Sequence, residues 1–416
     1  MKRDFLIVAL SAVVWFVPLA GPLRAQVDAG MISGSVNDNS HAVIRAAKVT
    51  VVNPQTQVSR VVEVNGQGFY SMPDLTPGTY AVSASAPGFM TVRESGLIVT
   101  VGGALVVDLE LPVGDVHDRV DVRATAADVE TASSALDFAV NSTTIRELPL
   151  NGRDWTSLPL LQPGVGTVNQ PPLAVGSDRG NRGLGTQLSI GGNRPQQNNY
   201  RLDGITINDY SNGAPGSILG VMLGVEAVQE FSVVTNNAPA NYGRTGGGVV
   251  NAITRSGANG LHGSAYEFLR NSDLDARNFF DGATIPGFRR NQFGAAAGGP
   301  IRRDRTFIFG DYEGVRQALG VTNIITVPSA AARTGQLTAG TVAVDQKIAP
   351  YLSLYPLPNG PVSGDVGIFA MPTSIATRED FLTTRVDHTI AARDSLFATC
   401  MFDDGKTTAP DSFNNK

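Results

Sequence analysis

Apolar and polar residues alternate with a period of two through much of the chain, in short segments bounded by turn residues. In Thr79-Tyr80-Ala81-Val82-Ser83-Ala84, Tyr80, Val82 and Ala84 share one face and Thr79, Ala81 and Ser83 the other, as in a half-buried strand. Met31 to Val36, Lys48 to Val52, Val58 to Val64, Thr79 to Ser85 and Leu105 to Leu111 read as strands. Asn65-Gly66-Gln67-Gly68, Pro77-Gly78 and Pro87-Gly88 supply the turns between them. About seven strands in about 80 residues predict a β-sandwich over residues 30–112.

The pattern then changes. Residues 113–142 read as a linker around Asp118-Arg119-Val120-Asp121-Val122-Arg123-Ala124. Val120 and Val122 fall on one strand face, so this segment can add to the open sheet edge of a partner, its backbone giving affinity and its valines register. The same pattern describes an edge strand or a plain connection. Residues 143–256 mix periods. A short helix is expected between Arg146 and Leu161 with a stop at Pro163-Gly164, strands at Leu188 to Ile190 and Tyr200 to Ile205, and a helical start turning into a strand over Val225 to Val233. That is a small α/β domain. Gly243-Arg244-Thr245-Gly246-Gly247-Gly248 lacks the Gly-Lys-Ser/Thr ending of a phosphate loop, and its glycines are expected instead to allow close backbone approach or a bulge before Val249 to Thr254.

From residue 260 to 416 strands return. Ser264 to Arg270, Thr306 to Glu313 and Ser395 to Phe402 set aromatics beside polar neighbours, which suits a barrel wall between lipid and a wet lumen, whereas Pro328 to Thr377 reads as loop. About four to six strands fit, in a soluble antiparallel sheet or in the first part of a barrel that needs many more strands to close.

Composition narrows the chemistry. Only 17% of residues are charged and the net charge is −5, which leaves no basic surplus for a nucleic-acid partner. One cysteine, Cys400, and four scattered histidines, His41, His117, His262 and His388, offer no disulfide framework and no metal or catalytic constellation; no cofactor is expected. His41 and Asp74 read as loop residues in water. No Gly-x-Ser-x-Gly elbow or His-Glu-x-x-His pair supports a hydrolase, so an enzyme is not expected. Met1-Lys2-Arg3, the apolar run from Phe5 to Val17 and the breakers up to Ala25 form a secretory signal over residues 1–25, cut after Ala25, although Leu23 is large for its place. Pro18, Gly21 and Pro22 interrupt that run before the ~20 residues of a spanning helix.

Two resemblances add to this reading. Gly34-Ser35-Val36, Ala47 to Val51, Gly66 to Tyr70, Leu75 to Tyr80 and Ala86 to Phe89 together resemble the carboxypeptidase regulatory-like domain, which implies an immunoglobulin-like or transthyretin-like sandwich without catalytic groups. Pro163-Gly164-Val165, Leu188 to Gly192, Leu202-Asp203-Gly204-Ile205, Val228 to Phe231, Ala240 to Gly243 and Gly247 to Arg255 follow in order the motifs of the plug domain of TonB-dependent outer-membrane receptors. Leu148 to Arg153, Gly192 to Tyr200, and Arg289 to Gly294 with Gly298 to Ile301 look most like the Oar-like branch. One departure stands out: the common plug has an arginine directly before the glycine of its first strand motif, where this chain has Gly191, with Arg194 three residues on. The resemblance implies a mainly β fold of sandwich, α/β plug and the first strands of an incomplete transmembrane β-barrel. It places the TonB box at Val120, Asp121, Val122, Arg123 and Ala124. It implies TonB, outer-membrane lipid and an unidentified extracellular substrate as partners, in the bacterial outer membrane. A secreted adhesive or scaffolding protein is the competing expectation.

Overall fold

The structure is a computed structural model that describes residues 29–115, 119–123, 135–148, 150, 153, 155–168, 187–208, 213–215, 224–238, 242–243, 246–276, 285, 287–391, 394–409, 411 and 413. The proposed signal and Ala25 lie outside the described residues, as does Ala124.

The chain is mainly β. Its first module comprises β1 (Gly30–Asp38), β2 (Lys48–Val52), β3 (Ser59–Glu63), β4 (Phe69–Leu75), β5 (Gly78–Ser85), β6 (Thr91–Val99), β7 (Ala104–Val106), β8 (Leu109–Leu111) and β9 (Arg119–Arg123). One sheet runs β4-β1-β7 with β8 also on β1, and the other runs β3-β2-β5-β6-β9. Alternation explains the core between them: Ile32, Val36, Val49, Val82, Ala84 and Leu111 are fully buried, while their strand neighbours, Ala81 apart, are half-buried or exposed. The sequence pattern misses β4 and β6 as strands, because Pro73 and Asp74 in one and Arg93, Glu94 and Gly96 in the other break the apolar alternation. β9 lies inside the stretch read as a linker. Of the readings left open there, the structure shows the edge strand: β9 runs parallel to β6, and Val120 packs against the sandwich core.

The central module holds β10 (Leu136–Asn141), β11 (Val165–Thr167), β12 (Leu188–Ile190), β13 (Asn199–Leu202), β14 (Ile205–Thr206), β15 (Val228–Asn236) and β16 (Val249–Thr254). Helix α1 (Ser142–Glu147) starts where Asn141 accepts the Thr144 N–H at 3.0 Å, and it buries Ile145. A 3-10 stretch, Trp155–Leu161, follows before the Pro163-Gly164 turn. The main sheet runs β10-β15-β16-β13-β14. A short 3-10 turn, Val225–Ala227, leads into β15, as the mixed pattern there predicts. Gly247 and Gly248 lie where a Cβ would strike the Gln197 carbonyl and Ile190, so the glycine-rich stretch does allow close approach.

The third region is a sheet of β17 (His262–Asn271), β18 (Phe288–Arg302), β19 (Thr306–Pro328), β20 (Gln336–Leu337), β21 (Gly340–Thr341), β22 (Val362–Ser363), β23 (Val366–Ala391) and β24 (Asp394–Thr408), in which β20 and β21 form a separate small ribbon. The order β17-β18-β19-β23-β24 is a meander of antiparallel neighbours, and among the described residues it does not close into a cylinder. The loop expected over Pro328 to Thr377 is shorter than the pattern suggests, because residues 366–377 belong to β23 and pair with β19. Along β19, Phe307, Phe309, Asp311, Glu313 and Val315 are buried while Ile308 and Tyr312 are exposed. One face of the wall thus carries charge inward and the other presents apolar groups outward. No helix among the described residues is long and apolar enough to cross a membrane, which has no bearing on crossing by strands.

Candidate functional site

The central module meets the inner face of the wall through charge. Arg153, at φ +55, follows α1 and is 8% exposed. Its Nη2 donates to Glu226 Oε1 at 3.2 Å, and its Nε lies 3.7 Å from Glu313 Oε2 on β19. The guanidinium stacks 4.0 Å over the ring of Tyr266 on β17. Tyr266 in turn donates its hydroxyl to Glu313 at 2.6 Å, and Gln292 on β18 donates to the other oxygen of the same carboxylate. Arg146 and Arg255 each approach Glu226 at 3.9 Å. Asp311, 2% exposed, completes the group beside Glu313. Gly224 brings the central backbone against this wall: a Cβ there would sit 2.6 Å from Asp311 Oδ2 and 3.1 Å from Glu313 Oε2.

A second cluster lies nearer the short turns. Asp203, held at φ +49 in the β13–β14 turn, accepts from the Thr254 N–H at 2.9 Å and the Thr254 hydroxyl at 2.7 Å. From the wall it accepts Arg385 Nη1 at 3.1 Å and the Thr399 hydroxyl at 3.0 Å. Arg385 also donates to the Thr254 carbonyl and to Asp387, and its guanidinium lies 4.7 Å from the Phe397 ring centroid. Ser256 donates to Asp387 at 2.7 Å. Arg385 is 3% exposed and Asp203 7%, so both charges have left water and depend on each other.

The sandwich docks on the central module at a third place. The Val101 N–H donates to Glu230 Oε1 at 2.7 Å, and Gly102 lies against the Tyr242 hydroxyl. Burial pushes the Glu230 carboxyl up to about 7, opposed only by the Val101 N–H, which favours the charged form. The sandwich also touches the wall, where the Asn259 N–H donates to the Gln55 carbonyl at 3.1 Å, beside Asp304 in the β18–β19 turn.

The residues singled out by sequence are only partly gathered here. Val120, Asp121, Val122 and Arg123 are in β9, apart from the wall contacts. Arg194 is exposed, and Gly191 takes φ +60. His41 is exposed beside Glu110 at 3.6 Å, and Asp74 is exposed at φ +58. Arg153, Asp203 and Arg255 fall inside quoted motifs, but nothing in the sequence pairs them with Glu313 or Arg385. Inward-pointing charge at alternate positions of a wall strand, Asp311 and Glu313, is the one signal that could have pointed to the contact.

Residues 31–112 match the carboxypeptidase regulatory-like domain, and residues 253–416 match the outer membrane β-barrel domain. Over 279 residues the chain is 27% identical to the TonB-dependent transporter Oar of Myxococcus xanthus, covering 64% of this chain and 24% of that protein. The chain is a homologue of a TonB-dependent transporter. It spans about a quarter of the length of that relative, 24%. Among solved structures this transporter homologue resembles the outer membrane transporter YddB from Escherichia coli, at TM-score 0.42 and 15% identity over 66% of this chain and 34% of the other. The siderophore receptor PirA from Acinetobacter baumannii gives a TM-score of 0.39 and 17% identity over 69% of this chain and 34% of the other.

Proposed function

We propose that the chain belongs to an outer-membrane receptor that takes up an extracellular substrate, with residues 143–256 as a plug, a wall begun by β17 to β24, and energy supplied through TonB. The observation that carries this reading is the buried ionic seam between plug and wall. A hydrophobic seam of the same size would hold more tightly, since desolvation of buried ion pairs offsets most of their attraction. Charged contacts on fixed backbones instead give one docked position that can be left and regained, which suits a gate. The short turns face the periplasm, as in outer-membrane barrels generally, and the sandwich touches the wall at that end.

In this mechanism the TonB segment is β9. A pull on it passes through residues 124–135 to β10, the edge strand of the plug sheet, whose ladder to β15 runs from Leu136 to Asn141. An edge strand can be peeled without unpairing the rest, so the first movement is at β10 and the path opens between plug and wall. No catalytic step is involved.

The test is binding of a purified TonB C-terminal domain. Val120→Pro or Val122→Pro removes a backbone donor from the strand and is expected to weaken binding at least tenfold. Unchanged affinity would dismiss β9 as the contact. Recovery of the full-length product in the soluble secreted fraction would dismiss the transporter.

A further inference from the structure

β17 and β18 bring two arginines together. Arg270 and Arg290 stand directly opposite each other in the antiparallel ladder. Tyr266, Phe268 and Arg270 share one side of β17, and Gln292, Arg290 and Phe288 share one side of β18; Tyr266 and Gln292 both reach Glu313, so this side is the inner one. Like charges facing each other across a ladder destabilise it. An acid answers only one of them. Arg270 Nε donates to Asp275 Oδ2 at 3.1 Å, whereas Arg290 makes no ion pair among the described residues. Neutral groups hold Arg290 instead: its Nε donates to Gln317 Oε1 on β19 at 2.7 Å, and its guanidinium lies 5.7 Å from the Phe288 ring centroid, with that of Arg270 4.9 Å from the same ring. An amide and a ring orient the fork without cancelling its charge. Its Nη1 and Nη2 donate to no group among the described residues. Arg290 is four residues along β18 from Gly294, the ladder partner of Glu313, which sets the two arginines about 13 Å from the ionic seam. They lie away from the Asp304 turn, on the extracellular side of the plug in the orientation proposed above.

We infer that Arg290, with Arg270 beside it, forms an oxyanion subsite on the inner face of the wall, and that the captured substrate carries a carboxylate or phosphate group. This rests on the reading of the chain as part of an uptake receptor and names the class of its substrate. Two oxygens of such a group accept from the Nη1 and Nη2 edge of the guanidinium, a geometry that the planar fork offers and an ammonium does not. The negative charge also offsets the repulsion that the ladder imposes on the two arginines. Binding and wall stability then favour the same occupied state.

The experiment follows the reactivity of these guanidinium groups in the purified full-length product, with no substitution that could unfold it. Phenylglyoxal modifies arginines that lack an anionic partner, and peptide mass spectrometry reads each residue separately. Succinate and inorganic phosphate are each compared with sodium chloride at equal ionic strength. At least one of the two is expected to slow modification of Arg290 by about tenfold relative to chloride, while Arg302 and Arg303, exposed at the β18–β19 turn, keep their rates. The anion that protects identifies the group. Equal modification of Arg290 in chloride and in both oxyanions overturns the inference, and so does protection shared equally by Arg302 and Arg303, which would be general screening. Recovery of the product in the soluble secreted fraction sinks the uptake reading whatever the reagent shows. A product located in the membrane whose Arg290 is indifferent to both oxyanions sinks this inference and leaves that reading standing.

Discussion

Asp203 and Arg385 lie 182 residues apart in sequence and 3.1 Å apart in space, each nearly without solvent. Removing one partner strands the other, which costs about 3–5 kcal/mol for a buried pair. Arg385→Met is therefore expected to lower the stability of the docked plug by that amount, while Arg385→Met with Asp203→Asn recovers about 1–3 kcal/mol of the loss. Denaturant midpoints of the four species in the cycle check this; additive losses would mean that the two charges do not interact. Glu230 makes a separate claim at the sandwich junction. Its carboxyl sits near 7 in the fold against 4.5 for the ordinary group, so the folded chain binds more protons between those values. Its contribution is thus most favourable at low pH and is lost as pH rises from about 4.5 through about 7, by at most about 3 kcal/mol. Glu230→Gln keeps an acceptor for Val101 and should remove this dependence, seen as a flatter difference in stability between pH 5 and pH 8.

At the scale of elements, the 3-10 turn Val225–Ala227 carries Glu226 to the wall, and Gly224 just before it sets how close the two surfaces come. Gly224→Val puts a branched side chain against Asp311 and is expected to wedge the turn outward. Hydrogen exchange at Ala227 and Val228 should rise at least tenfold while the sandwich amides stay unchanged; protection equal to the parent would show that the wall yields instead. The strands themselves were legible where β-branched residues alternate, as in β2 and β5, and where a motif fixed the turn, as in Leu202-Asp203-Gly204-Ile205. The start of β23 was not. Pro372 and several small residues give residues 366–377 the look of a loop, but they pair with β19, and at Pro372 β19 is the only strand partner among the described residues, since β22 reaches no further than Gly367 and β24 joins at Ala376. Proline is tolerated on such an open side because no donor is needed there. The ionic seam was illegible for another reason: the backbone of five wall strands, β17, β18, β19, β23 and β24, brings its members together, and no local spacing records that.

The molecule as a whole has two ends of unlike construction. Short turns, the sandwich and β9 gather at one, and the connection of residues 329–365 stands at the other, carried on β19 and β23, which are 23 and 26 residues long. A tilted strand crosses a bilayer in about 9–11 residues, so this hairpin outruns the hydrocarbon by more than twofold. In the orientation proposed above, a cysteine at Gly340 in a Cys400→Ser chain should react with a membrane-impermeant maleimide on intact cells, and one at Asp304 should not. The reverse labelling would invert the receptor.

A ribbon of that length works as a mast. In the orientation proposed above, at about 3.3 Å per residue, the paired strands carry the 329–365 tip tens of ångströms beyond the hydrocarbon. Tyr351 and Leu354, both exposed on that tip, then meet the surroundings ahead of the rest of the sheet.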